Sequence, residues 1–134
     1  YYAVTDGIMT INFAFYENNI TYYTDLIKVS IALDNGEITA FDSTGYIMNH
    51  TKRNDVGKKK YTIDEAKKLL NTSLKVKSSK EVYIPTDFGT EIFAYEYHCV
   101  APDEKEILVY INPETGVEED ILILLYSDNG VLTK

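Results

Sequence analysis

The sequence predicts an α+β fold: antiparallel three-stranded meanders with a helix packed on one face, in about one and a half repeats. Three observations carry this. Apolar and polar residues alternate along several separate segments. One segment instead shows helical spacing behind a capping box. A strand–turn–strand unit built on an Asx/Gly turn occurs twice.

The first strand spans Gly7 to Glu17, with Met9, Ile11, Phe13 and Phe15 alternating against Thr10, Asn12 and Ala14. Glu17-Asn18-Asn19 ends it with turn formers. A second strand follows near Asp25 to Leu33, with Ile27, Val29, Ile31 and Leu33 on one face. Asp34-Asn35-Gly36-Glu37 predicts a hairpin turn into a third strand, Glu37 to Thr44. Gly45 to Lys60 reads as a polar connection ending in three lysines.

The helix starts at Thr62, with Glu65 three residues on and Tyr61 and Ala66 at the staple positions. Ala66, Leu69, Leu70 and Leu74 form its apolar face. Val82 to Ile84 reads as a short strand stopped by Pro85. Glu91 to Val100 alternates again, Phe93, Tyr95, Tyr97 and Cys99 on one face, Ile92, Ala94, Glu96 and His98 on the other. Ile107 to Asn112 and Val117 to Tyr126 flank Pro113-Glu114-Thr115-Gly116, the same hairpin plan with a turn that looks longer. The units predicted are a partial repeat over 1–50, a basic linker over 51–61 and a complete repeat over 62–134. The missing helix of the first repeat, and a first residue that is Tyr1, suggest a piece of a longer chain.

The chain has 134 residues and a formal charge of −8, unevenly spread. From Lys52 to Lys80 there are ten Lys/Arg against three acids. The acidic balance argues against nucleic acid as a partner, since phosphate contacts supply most of that affinity. A single cysteine, Cys99, leaves no intrachain disulfide and no Cys-based zinc site.

The search for catalytic chemistry returns little. His98 and Cys99 are sequence neighbours, but adjacent strand residues point to opposite faces, so Cys99 reads as a small core residue. There is no Gly-x-Ser-x-Gly elbow, no His-Glu-x-x-His, no phosphate or dinucleotide loop, and no complete EF-hand. Asp34-Asn35-Gly36-Glu37 reads as the hairpin turn rather than a calcium loop. Glu118-Glu119-Asp120 splits between strand faces. No metal or cofactor is expected. Glu96 and His98 share a face and can interact as an ion pair. The twelve tyrosines suit either sheet packing or protein and glycan contact.

Longer strings add a resemblance. Tyr23-Thr24-Asp25-Leu26-Ile27-Lys28-Val29, Ala32-Leu33-Asp34-Asn35-Gly36-Glu37 and Gly45-Tyr46-Ile47-Met48-Asn49-His50 with Arg53 resemble the C-terminal region of the YpeB spore-germination family. So do Tyr95-Glu96-Tyr97, Val109-Tyr110-Ile111-Asn112 and Glu118-Glu119-Asp120-Ile121-Leu122. Thr24 stands where that family would have Pro. The second half also resembles a PepSY module, a helix followed by a three-stranded antiparallel meander. The resemblance implies a non-enzymatic module that stabilises, localises or inhibits a cortex-lytic peptidoglycan hydrolase of the SleB type. It implies a spore location at the cortex side of the inner membrane, with any anchor upstream of this chain. Tyr46, Met48, Asn49, His50 and Arg53 are the candidate partner contacts; equally, they could pack the two repeats together. Two other readings stay open: an enzyme acting on cortex glycan through an acid pair that includes Glu96, and a cell-wall or peptidoglycan binder using Tyr faces and the Lys52–Lys80 stretch.

Overall fold

A computed structural model describes residues 1–53 and 57–134. Residues 54–56, within the basic linker expected over 51–61, lie outside the described residues. The strands are β1 (Tyr2–Thr5), β2 (Ile8–Glu17), β3 (Ile20–Ala32), β4 (Ile38–Asp42), β5 (Lys75–Pro85), β6 (Glu91–Val100), β7 (Glu106–Ile111), β8 (Glu118–Ser127) and β9 (Gly130–Thr133). The helices are α1 (Thr44–Asn49) and α2 (Ile63–Lys67).

All nine strands join one sheet in the order β2-β1-β9-β8-β7-β6-β5-β3-β4. The sequence predicts three-stranded antiparallel meanders in about one and a half repeats; the structure instead has one continuous sheet. The sheet also closes on itself, because β2 pairs with β3 as well as with β1. One edge of β3 runs along β2. Its other edge is shared: Ile20–Tyr22 pair in parallel with Glu81–Tyr83 of β5, and Lys28–Ile31 pair with β4. The closing seam between β1 and β9 is narrow, Ala3 against Gly130 with Val4 N–H donating to Asn129 C=O at 2.6 Å. Gly130 has φ +130°, and a Cβ there would lie 2.2 Å from the Tyr2 carbonyl oxygen. Only glycine permits that approach.

Closure gives the sheet an outer and an enclosed side, each with a core. On the outer side Tyr95, Tyr97, Cys99, Val109 and Ile111 pack under Ala66 and Leu70 of the α2 segment. On the enclosed side Val82, Ile84, Ala94, Leu108, Tyr110 and Leu124 meet. Burial at both sites follows the predicted alternation of β6.

The capping box at α2 forms as expected. The Thr62 hydroxyl accepts from Glu65 N–H, and the Glu65 carboxylate accepts from Thr62 N–H. The helix is shorter than its apolar spacing suggests. After Lys67 the chain shifts to tighter bonds, such as Leu70 N–H to Lys67 C=O, and Asn71 begins a turn. Leu70 still reaches the core, whereas Leu69 faces out. β5 is longer than the predicted Val82 to Ile84, because its polar half, Lys75 to Lys80, pairs backbone to backbone with β6. Ladder bonds do not require an apolar side chain. The connection expected over Gly45 to Lys60 opens with α1, which has no side-chain cap.

Two hairpins match residue for residue at a shift of 80, as from Val29 to Val109. In β3–β4, Val29 faces Phe41 and Ser30 faces Ala40, then a bulge sets Ile31 against Ile38. In β7–β8, Val109 faces Ile121 and Tyr110 faces Asp120, then a bulge sets Ile111 against Glu118. The turns match too. Ala32 N–H donates to Glu37 C=O, and Asn112 N–H to Val117 C=O, both at 2.9 Å. Gly36 and Gly116 hold φ +75° and +73°. The second turn is therefore no longer than the first. Pro113 and Thr115 change its composition, not its length.

Candidate functional site

The residues singled out between Tyr46 and Arg53 converge on one buried carboxylate. Opposite β2, the register of β3 jumps from Ala14↔Leu26 to Phe15↔Tyr22, so Tyr23, Thr24 and Asp25 form a bulge. Bulges re-aim side chains, and this one turns Asp25 fully into the protein. The adjacent edge of β3 is taken by α1. Asn49 Nδ2 donates to Thr24 C=O and to Gly45 C=O, each at 2.9 Å. A Cβ on Gly45 would lie 3.0 Å from the Leu26 carbonyl oxygen, so glycine lets the helix come close.

Around Asp25 the bonding is dense. Arg53 Nη1 and Nη2 donate to its two carboxylate oxygens, each at 2.8 Å. His50 Nδ1 lies 2.7 Å from Asp25 Oδ2. Glu91, at the start of β6, accepts from Arg53 Nε and, at 2.9 Å, from Nη2. The Thr24 hydroxyl donates to Glu91 Oε2 at 2.6 Å. The guanidinium carbon sits 4.6 Å from the Tyr22 ring centroid, and Tyr22 stacks on Tyr83. His50 stacks on Tyr46 at 4.4 Å and meets the edge of Phe15. Arg53 is thus a clasp, joining β3 of the first half to β6 of the second.

Burial alone would raise the Asp25 carboxyl, but the hydrogen bonds from Arg53 and His50 outweigh it and hold it below its ordinary value. Arg53 is held above its ordinary value by Asp25 and then Glu91. Every guanidinium nitrogen already donates inside the protein. The guanidinium is thus committed to the two carboxylates.

The predicted candidates part company here. Arg53 side-chain exposure is 8%, and its polar atoms are spent on the clasp. His50 is one-third exposed, with Nδ1 turned inward. Met48 points outward at 76% exposure beside Ile47 at 70%. Sequence reasoning missed Asp25 and Glu91 as clasp members. The signal was present: Asp25 is the one acid in β3, flanked by aromatic and aliphatic residues.

The other candidate groups also find places. Cys99 is buried, its thiol pushed up by burial, and lies on the α2 side. Glu96 and His98 take different partners. Glu96 accepts from the Tyr110 hydroxyl at 2.8 Å, and His98 Nε2 lies 3.6 Å from Glu106. Burial and Glu96 together push the Tyr110 and Tyr23 hydroxyls far above their ordinary range. Glu106 is drawn down to about 2 by Lys77 and Tyr126. Among the described residues no cluster of three His, Cys, Asp or Glu is set to hold a metal.

Comparison with known proteins agrees with this geometry. A family model described as "YpeB sporulation, PepSY1 and PepSY2 domains" matches residues 1–56. The solved Bacillus megaterium YpeB C-terminal domain matches with a TM-score of 0.82 and 25% identity, covering 93% of this chain and 55% of that one. The fold and the matched segment define a PepSY-containing, largely β-sheet domain of a sporulation protein. The sporulation protein YpeB of Halalkalibacterium halodurans is 38% identical over 116 residues, 87% of this chain. That of Bacillus subtilis is 29% identical over 119 residues, 89% of this chain. The chain belongs to the YpeB family and corresponds to its C-terminal region. It spans about a quarter of the length of these curated relatives.

Proposed function

We propose that the chain is a non-enzymatic binding module that stabilises, localises or inhibits a cortex-lytic peptidoglycan hydrolase of the SleB type. The observation that supports this most is an apolar outer face that none of the described residues covers. Met9, Ile11 and Phe13 of β2 lie beside Ile27, Val29 and Ile31 of β3, and Phe41 of β4 lies against Val29. Phe13 is 51% exposed, Phe41 64% and Ile38 68%. Contiguous apolar surface of this kind marks a protein-contact site. Met48 and Ile47 extend the contact, while Tyr46, Asn49, His50 and Arg53 serve it by holding α1 in place. The working location is the spore, on the cortex side of the inner membrane, with any anchor lying outside this chain. No helix among the described residues is long and apolar enough to cross a membrane.

Titration of the chain into a purified SleB-type hydrolase, reading both binding and cortex digestion, tests this. Saturable binding with slowed digestion is expected, and the Phe13→Glu/Phe41→Glu double variant should lose it while remaining folded. Absence of binding by the parent chain, or binding indifferent to that variant, overturns the reading. Digestion of cortex by the chain alone would point to an enzyme. A second reading, a cell-wall scaffold without hydrolase contact, rests on a different surface, at Tyr23 and Leu26.

A further inference from the structure

The enclosed side of the sheet carries a groove that borders the clasp at Thr24, Asn49 and Glu91 and lies away from the bare face at Phe13 and Phe41. Three cavities of about 600, 350 and 350 Å³ lie along it. Tyr23 and Leu26 line all three, so the cavities meet there. The widest opens between α1 and the β5–β6 turn, past Asn49 and Thr90. The other two share Tyr1. One continues to Tyr110, and the other is walled by Asn12 and Thr21.

Part of the lining is held in place: Glu96 is buried and accepts from the Tyr110 hydroxyl at 2.8 Å. Lys80 Nζ lies 3.6 Å from Glu96 and 5.2 Å from the Tyr23 ring centroid. The carboxylate thus fixes the Tyr110 wall before any ligand arrives, and Lys80 lies between it and the Tyr23 ring, which lowers the entropy cost of binding. The lining is also mixed: aromatic rings and aliphatic chains beside amides and hydroxyls. Its charges oppose one another, Lys28 and Lys80 against Asp42, Glu91 and Asp120.

We infer that this groove binds a neutral glycan chain. A pyranose ring has an apolar C–H face that packs on tyrosine, and a rim of hydroxyls that pair with Asn, Thr and carboxylate groups. An extended peptide would seek a free strand edge. The edge of β3 at this point is already covered by α1, with Thr24 C=O bonded to Asn49. Opposed charges along the lining disfavour a polyanion.

The test is a titration of the isotope-labelled chain with the tetramer of N-acetylglucosamine, read by amide resonances. Saturable shifts at Tyr23, Leu26, Asn49 and Thr90, unchanged by added salt, are expected. Tyr23→Phe should bind within about threefold of the parent, because the ring remains, whereas Tyr23→Ala should weaken binding about tenfold or more. Leu26→Ala, which trims the other shared wall, should weaken it about threefold to tenfold and keeps the test decisive if Tyr23→Ala fails to fold. Shifts absent from these residues overturn the inference, as does salt-sensitive binding or tighter binding of an uncharged extended peptide. The Phe13→Glu/Phe41→Glu variant should bind the tetramer like the parent. Loss of hydrolase binding and loss of glycan binding are therefore separable results.

Discussion

The hairpins β3–β4 and β7–β8 share strand register, bulge position and turn, yet only the second half lies under a helix. Tyr97 of β6 is fully buried and donates to Ile63 C=O at 2.6 Å, and Tyr95 donates to Tyr61 C=O at 2.9 Å. By the same register the counterparts of Tyr95 and Tyr97 are Met9 and Ile11, which face no helix. The turn glycines show the same contrast. A Cβ on Gly116 would meet the Tyr61 ring at 2.8 Å, whereas on Gly36 it would meet nothing within 4 Å. Hairpin geometry is therefore set within the strands and survives without a cover. Among the described residues, the helix cover decides which of the two matching apolar faces is buried.

Breaking the joint between the halves should have the largest effect. Arg53→Met strands the Asp25 carboxylate without its main partner and should cost about 3–5 kcal/mol in urea unfolding. The clasp also sets a pH dependence. Asp25 is held below its unfolded value of 3.8, so its contribution is complete above about pH 4 and is lost as pH falls through the folded pKa. Arg53→Met should flatten that acid-side loss.

A paired substitution sharpens the comparison itself. Gly36→Ala and Gly116→Ala both impose a side chain at positive φ, costing about 1 kcal/mol each. Gly116→Ala must also displace Tyr61 and Leu69, adding about 1–2 kcal/mol. Equal melting points for the two variants would mean that the α2 segment adds nothing at that turn. The smallest effect belongs to the bare face. Phe41→Ser should change stability by less than about 0.5 kcal/mol, since the ring already meets solvent. A larger loss in thermal unfolding would show that Phe41 belongs to a core.

Much of the local structure was legible in the sequence. The alternation from Met9 to Phe15 and from Phe93 to Cys99 gave the strand faces, because one side of each strand is apolar. Thr62 and Glu65 marked the helix start through a contact only three residues long. Asn35-Gly36 marked a turn that needs positive φ. These signals are local and depend on side-chain type. The polar half of β5 and the short strands β1 and β9 were not legible, since their pairing runs through backbone groups that every residue carries.

The sequence by itself determined the apolar faces, the hairpin turns and the capped helix, through interactions spanning a few residues. Tertiary structure alone decided that β1 pairs with β9 and β3 with β5, closing one sheet. It also brought Asp25, Arg53 and Glu91 together from three separate segments, and joined the cavities at Tyr23 and Leu26. Such placements follow from long-range backbone pairing and from the cost of leaving a buried charge without a partner, and neither leaves a periodic trace along the chain.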